Sequence, residues 1–171
     1  MRIANLLLAT ALCAAANPAL ADASEDFQTL MDEVWEWRLE NNPMIASRQG
    51  DRRFNTEWRD RSLAGIEQRH IDSREFLRRV YAIDKTQLSE TDQLNYELFR
   101  RSLQQSVDSH QFNGHLMPFN QRGGVQNLDS NAAFLRFETA SDYEDWLERM
   151  GKIDTVIEQT IEVADRGIEK E

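Results

Sequence analysis

The chain has 171 residues with 20 basic and 30 acidic side chains, which give it a net charge of -10. This charge argues against nucleic acid and anionic membrane surfaces as partners, because both repel an acidic protein. The single cysteine, Cys13, lies in an apolar N-terminal segment that we expect to be removed. A chain without cysteine cannot form disulfides, a thiol nucleophile or thiolate metal sites.

Residues 1–21 have the features of a secretory signal peptide. Arg2 supplies a positive charge, residues 3–16 form an apolar run, and Pro18 precedes a small-x-small cleavage sequence. The run is shorter than the ~20 residues that a membrane-spanning helix needs. We therefore predict cleavage after this segment, export to the periplasm or the medium without a membrane anchor, and one helical domain over residues 22–171.

The segment after the predicted cleavage site is strongly amphipathic. Apolar side chains recur on one face at helical spacing, which predicts a helix that begins at Asp22. These side chains are Phe27, Leu30, Met31, Val34 and Trp37. The sequence 41–43, Asn-Asn-Pro, ends the helix, because the residue before a proline is pushed out of the helical conformation. Pro43 can then begin a short second helix, which Gly50 closes.

Three further helices are predicted from capping residues and apolar spacing. Ser62 caps a helix that reaches about residue 83, and Ser89 with Asp92 caps the next. Ser141 and Glu144 form a capping box for a last, uninterrupted helix that continues toward the end of the chain. The apolar positions of all these helices predict a common core. It comprises Phe27, Leu30, Val34, Leu77, Val80, Leu94, Leu98, Leu147, Met150, Ile153 and Ile157.

Together these elements predict an all-α fold. We expect a bundle of about four long amphipathic helices and one or two short ones, with one long irregular loop at residues 111–140. The last helix carries a long apolar stripe and reaches Glu171 without a clear stop signal. We therefore expect this bundle to be part of a larger helical fold.

The three histidines do not form a recognisable metal motif. His70 lies on the predicted buried face of its helix without a second ligand at a neighbouring helical position, so we interpret it as half-buried with satisfied hydrogen bonds. His110 and His115 are five residues apart beside Asp108, without the glutamate of a His-Glu-x-x-His zinc motif. The Gly-Gly pair at 123–124 likewise lacks the lysine of a phosphate-binding loop. We predict no metal site from this pattern.

Two other patterns have both a functional and a structural interpretation. Three glutamates could act as catalytic carboxylates, but without a cleft to raise their pKa we interpret them as solvated. They are Glu36, Glu144 and Glu148. The loop at residues 51–61 interleaves arginines with Phe54 and Trp58, a pattern that can bind single-stranded nucleic acid by stacking. We prefer the interpretation that the aromatic residues anchor the loop and the arginines pair with the acidic excess. No catalytic, cofactor-binding or metal-binding residue is assigned in this chain.

Five features of the sequence carry a resemblance to a known family. They are a Trp-rich first helix, a Pro-x-x-Ala-Ser-x-x-Gly-Asp turn at 43–51, a Leu-Ser-x-x-Asp-x-Leu-Asn-Tyr-x-Leu-Phe helix at 88–99, an Asp-Tyr-Glu helix start at 142–144, and a Met-Pro loop at 117–118. With these features the chain resembles the opening of the bacterial family called domain of unknown function 885. The resemblance implies a mostly helical, often exported protein of several hundred residues, similar in fold to zinc-dependent carboxypeptidases and related gluzincin metallopeptidases. The family's zinc motif lies later in the protein, and nothing in residues 22–171 matches it.

Two functional hypotheses follow. In the first, the chain is the N-terminal helical region of an exported, zinc-dependent, peptidase-like hydrolase, in which it forms the wall or lid of a cleft for a peptide substrate. The resemblance places zinc only in a full-length relative, and this chain has no cofactor of its own. In the alternative, the chain is a stand-alone, non-catalytic binding or interaction module in the periplasm. An apolar face left uncovered around Trp146, Ile153 and Ile157 would favour the first hypothesis.

Overall fold

A computed structural model describes residues 18–121 and 123–170 of the chain. The described part contains six α-helices and no β-strand, which confirms the predicted all-α fold. The helices are α1 (Pro18–Glu40), α2 (Pro43–Arg48), α3 (Leu63–Ala82), α4 (Glu90–Ser109), α5 (Ala140–Met150) and α6 (Ile153–Ile168). Within this part of the chain, none of the helices combines the length and the apolar character needed to cross a membrane. The predicted signal peptide falls mostly on residues 1–17, outside the described residues, and α1 begins before the expected start at Asp22.

The turn between α1 and α2 has the predicted form. The Asn42 side chain caps α2 by accepting a hydrogen bond from the backbone N–H of Ile45, and Pro43 occupies the first turn. Gly50 follows α2 with a φ of 87°, a left-handed conformation that favours glycine. The predicted caps of the next two helices are also confirmed, since the hydroxyls of Ser62 and Ser89 accept hydrogen bonds from backbone N–H groups in the first turns of α3 and α4.

The main core lies among α1, α3 and α4. Its buried residues are Phe27, Leu30, Val34, Leu77, Val80, Leu88, Tyr96 and Leu103. The ring of Phe27 lies 5.9 Å from that of Tyr96 and 6.0 Å from that of Phe99, in tilted and edge-on arrangements. The five core residues predicted on α1 and α3 are therefore confirmed as buried.

The predicted burial of Leu94 and Leu98 on α4 is wrong. Leu94 and Leu98 are 62% and 60% exposed, whereas Tyr96 and Leu103 are buried. The buried stripe of α4 runs through Tyr96, Phe99, Leu103 and Val107, which recur at helical spacing. Leu94 and Leu98 lie on a different face of the same helix, and the sequence alone did not show which of two apolar faces would meet the core.

The predicted last helix is interrupted. It divides into α5 and α6 at Gly151 and Lys152, because glycine is a poor helix former and the chain turns here. The inward side of α5 carries Arg149, whereas Leu147, two residues earlier, lies on the opposite side of that helix and is exposed. Ile157 on α6, also predicted in the core, is exposed as well. The inward positions of α6 are Val156, Thr160 and Val163. Met150 and Ile153 are only partly buried.

The cap of α5 also differs from the prediction. The capping box is formed by Thr139 and Asp142, not by Ser141 and Glu144. The carboxylate of Asp142 accepts hydrogen bonds from the N–H and the hydroxyl of Thr139 at 2.7 and 2.8 Å. The residues of each pair are three positions apart, as a capping box requires. Because α5 begins at Ala140, Thr139 and not Ser141 occupies the N-cap position.

The predicted long irregular loop is present between α4 and α5. It contains short 3-10 turns at His110–Phe112, Gly114–Leu116, Val125–Asn127 and Asp129–Phe134. Leu116 and Leu128 are buried and anchor the loop. Leu116 lies against α6 beside Gly167, where an added Cβ would come within 2.5 Å of the Leu116 carbonyl oxygen.

Candidate functional site

The three histidines of the chain form one stack. His70 on α3 lies against His110, with ring centroids 3.9 Å apart and an angle of 14° between the planes. His110 lies in turn against His115 at 4.6 Å and 15°. The prediction that His70 is half-buried is confirmed, whereas the prediction that its hydrogen bonds are satisfied is wrong. Its Nδ1 is buried without a hydrogen-bond partner among the described residues.

The local chain direction after α4 explains this arrangement. His110 follows the last residue of α4, and Asn113 adopts a left-handed conformation with a φ of 53°. Asn tolerates this conformation better than most residues. The chain therefore folds back, and buried Leu116 fixes the Gly114–Leu116 turn that carries His115.

The stack does not fit a zinc ion. Rings stacked nearly in parallel place their nitrogens side by side, whereas zinc ligands converge on one point. Within residues 18–121 and 123–170, no group of three or more His, Cys, Asp or Glu side chains is arranged to hold a metal ion. His110 Nε2 instead lies 3.3 Å from Glu67 Oε2, and Asp108 accepts a hydrogen bond from the Gln104 side chain at 2.8 Å.

Burial favours the neutral form of two of these histidines. The pKa of His70 lies below its usual 6.5 because of desolvation, with the neighbouring His110 as a further cause. The pKa of His115 is lowered by desolvation, by His110 and by Lys170. A neutral imidazole has one N–H donor and one acceptor nitrogen, so both side chains are suited to hydrogen bonding at neutral pH.

Two connected recesses lie beside the stack. The larger, of about 400 Å³, is lined by Trp37 and by residues of α3, α4 and the turn after α4. The smaller, of about 270 Å³, extends toward α6. Five residues line both recesses: Arg59, Ile66, Arg69, Gly114 and His115. Arg61 lines the smaller one. We refer to the two together as the arginine recess.

The three arginines of the recess have no ion-pair partner among the described residues. The nearest carboxylates are engaged elsewhere: Asp72 accepts hydrogen bonds from Trp37 and Gln68, and Asp60 accepts one from the backbone of Ser62. This contrasts with Arg52, which pairs with Asp142 and Asp145, and with Arg53, which pairs with Asp51 and Glu36. The prediction that the arginines of this loop pair with acidic residues therefore holds for its first half only.

Desolvation acts on all three recess arginines. Arg69 is only 9% exposed, and burial followed by repulsion from Arg59 lowers its pKa to about 10. Arg59 keeps exposed surface at the mouth of the recess. Its pKa is nevertheless lowered by desolvation, and repulsion from Arg61 lowers it further. Desolvation also lowers the pKa of Arg61. The recess therefore holds concentrated positive charge in a chain that is acidic as a whole.

A buried arginine positions the loop that carries Arg59 and Arg61. Arg149 of α5 is fully buried, and its Nη2 donates hydrogen bonds to Ser47 Oγ at 2.8 Å and to the Phe54 carbonyl at 2.6 Å. Trp58 Nε1 donates to the Arg149 carbonyl at 2.6 Å. The predicted anchoring of the loop by Trp58 is thus confirmed, with Arg149 as the partner that the sequence did not reveal.

The glutamates considered as catalytic carboxylates lie away from the recess. Glu36 pairs with Arg53 at 2.8 Å and Glu148 with Lys152 at 3.2 Å. Glu144 is exposed on α5. None of the three lines the arginine recess.

The helices and the recess define an all-α helical bundle with a cationic recess at the junction of α3, the loop after α4, and α6. The chain belongs to the family described as "Bacterial protein of unknown function (DUF885)", whose family model matches residues 43–171. This match includes every recess residue except Trp37. No curated protein and no solved structure matches the chain.

Proposed function

We propose that this chain forms the N-terminal helical region of an exported, zinc-dependent, peptidase-like hydrolase, where it contributes a wall of the cleft for a peptide substrate. The proposal rests on the family membership and on the resemblance of that family to zinc metallopeptidases. Export rests on the signal-like character of residues 1–21. The histidine stack does not fit zinc, so no catalytic step is assigned to the residues of this chain.

One structural observation supports the proposal. Large apolar side chains on α5 and α6 are exposed, as expected for helices that pack against further helical structure. They are Tyr143, Leu147, Ile157, Ile161 and Ile168. Trp146 and Ile153 are partly buried. Covering such a face would contribute roughly 25 cal/mol for each Å² of apolar surface removed from water.

The first test is the intact mass and activity of the native protein in the exported fraction of its own cell. We expect a mass well above 19.9 kDa and cleavage of a mixed peptide pool that a zinc chelator abolishes and added zinc restores. A mass slightly below that value, together with no chelator-sensitive cleavage, would contradict the proposal.

The arginine recess favours a second candidate function. Unpaired arginines around one recess are suited to recognition, so the chain could act as a non-catalytic binding module in the periplasm. This function predicts ligand binding without any hydrolysis. The two candidates are distinguished by the peptide-cleavage assay, because only the hydrolase turns its ligand over.

A further inference from the structure

We propose that Arg59, Arg61 and Arg69 form a binding site for a small organic anion, in which a carboxylate or phosphate group meets the arginines and an apolar body lies against the apolar side chains that line the recess. This site is independent of hydrolysis by the protein. Nothing in the family description assigns it.

The unpartnered charge of Arg69 is the first argument. Its side chain is nine-tenths buried on α3 and lines both parts of the recess. Its guanidinium is partly desolvated and has no ion-pair partner among the described residues, and this loss of hydration without a partner has a free-energy cost. Asp60 and Asp72 stabilise the charge of Arg69 from a distance, but neither forms an ion pair with it. The Asp60 carboxylate accepts a hydrogen bond from the Ser62 backbone, and that of Asp72 accepts one from Trp37. A bound anion would supply the missing partner.

The convergence of three arginines is the second argument. Arg59 and Arg61 come from the loop before α3 and meet Arg69 at the same recess. Like charges brought together repel one another, and besides desolvation Arg61 lowers the pKa of Arg59 and Arg59 lowers the pKa of Arg69. Planar guanidinium groups bind carboxylate and phosphate oxygens with two parallel hydrogen bonds, so the arrangement suits both kinds of oxyanion.

The shape and lining of the recess define the rest of the ligand. Ile66, Met117, Pro118 and Val163 supply apolar surface in the smaller part of the recess. The larger part, of about 400 Å³, lies within the range of about 300–1,000 Å³ usual for ligand pockets, and the smaller part, of about 270 Å³, lies just below it. His115, whose pKa is lowered by burial, adds a neutral hydrogen-bonding group at the junction. A hydrophilic ion such as free phosphate would leave the apolar wall unused.

The test is calorimetric titration of the native protein at neutral pH and low ionic strength. The probes are 3-phenylpropionate, phenyl phosphate, acetate and inorganic phosphate, with neutral 3-phenylpropanamide as the uncharged comparison. We expect saturable one-site binding of an aromatic anion, weaker binding of acetate and phosphate, and no binding of the amide. The relative affinity of the first two probes decides between a planar carboxylate and a tetrahedral phosphate group.

Substitutions connect the binding to the recess. Arg59→Gln and Arg69→Gln should each weaken binding by about tenfold or more, because each removes a charge-assisted hydrogen bond to the anion. Arg59 lies at the mouth of the recess, so its variant keeps the test valid if the Arg69 variant does not fold. Arg101→Gln is the matched control, since Arg101 is exposed on α4 and does not line the recess. It removes the same charge and should leave affinity within about twofold.

Three outcomes would overturn the anion site. They are the absence of saturable binding for every anion up to about 10 mM, equal binding of the neutral amide, and equal weakening by Arg101→Gln and Arg59→Gln. Since the measurement records binding and not turnover, a protein that fails to cleave peptides can still bind the anion, and a peptidase can still fail this test.

Discussion

Arg149 on α5 donates a hydrogen bond from Nη2 to Ser47 Oγ on α2 at 2.8 Å, and the same nitrogen donates to the Phe54 carbonyl at 2.6 Å. Its guanidinium also lies 5.6 Å from the centre of the Trp58 ring. A single buried side chain therefore joins α2, α5 and the loop that leads to the arginine recess.

Replacing Arg149 should destabilise the protein strongly. We expect Arg149→Ala to lower the free energy of unfolding by about 3 kcal/mol, because it leaves a cavity and removes the hydrogen-bond donor of the partly buried Phe54 carbonyl. Urea denaturation followed by circular dichroism measures this change. Arg166→Ala, at an exposed position on α6, is the control and should change stability by no more than about 0.5 kcal/mol. Similar losses for both variants would show that Arg149 does not join these segments.

The close approach of α6 to the long loop gives a second prediction. Gly167→Ala places a Cβ within 2.5 Å of the Leu116 carbonyl oxygen, so backbone must shift. We expect a loss of roughly 1–3 kcal/mol in the free energy of unfolding, as for other overpacked sites. Gly114→Ala is the matched comparison, because its Cβ would meet nothing within 4 Å. If the two alanine variants are equally stable, the approach of α6 to Leu116 is not as described.

The corrected face of α4 gives a third prediction. Leu103→Ala should lower the free energy of unfolding by about 2–4 kcal/mol, because this side chain is buried in the core among α1, α3 and α4. Leu98→Ala should change it by about 0.5 kcal/mol or less, since Leu98 is mostly exposed. Urea denaturation of both variants, side by side, provides the measurement. If Leu98→Ala lowers the free energy of unfolding more than Leu103→Ala does, the face of α4 expected from the sequence is the buried one.

The histidine stack should make stability depend on pH near neutrality. The pKa values of His70 and His115 are lower in the folded chain than the usual 6.5, so the unfolded chain takes up protons first as the pH falls. The free energy of unfolding should therefore be highest above pH 6.5 and decrease as the pH drops below it, until the lowered pKa values are passed.

Glutamine variants test this dependence. His70→Gln and His115→Gln should each flatten the decrease in stability between about pH 7 and pH 5, as measured by urea denaturation at several pH values. Paired carboxylates such as Glu33 and Glu57 have pKa values below 4.5 and lose their contribution at lower pH, so the two effects separate. An unchanged slope in both glutamine variants would exclude the stack as its source.

Local features of the fold could be predicted from the sequence, because a few neighbouring residues determine them. The cap at Asn42, the proline start of α2, the left-handed Gly50 and the caps at Ser62 and Ser89 all belong to this group. Each depends on one hydrogen bond or one backbone conformation within a few residues.

The candidate site could not be predicted, because it depends on contacts between distant parts of the chain. His70 and His110 are separated by most of α3 and all of α4, and only the packing of these helices brings their rings together. The burial of Arg149 depends on Ser47 and Phe54, which lie about a hundred residues earlier. An arginine without a partner also has no signature in a sequence, since pairing is decided by which carboxylates other groups occupy.

The walls of the smaller part of the arginine recess come from α3, from the loop before it, from the turn after α4 and from α6. An anion held there would contact all four at once and would cross-link α6 to the three-helix core without any covalent bond. Ligand binding would then slow amide hydrogen exchange along α6 and raise the melting temperature with ligand concentration. The rate of amide hydrogen exchange in α6 would thus report whether an anion occupies the recess, although the three arginines lie on α3 and the loop before it.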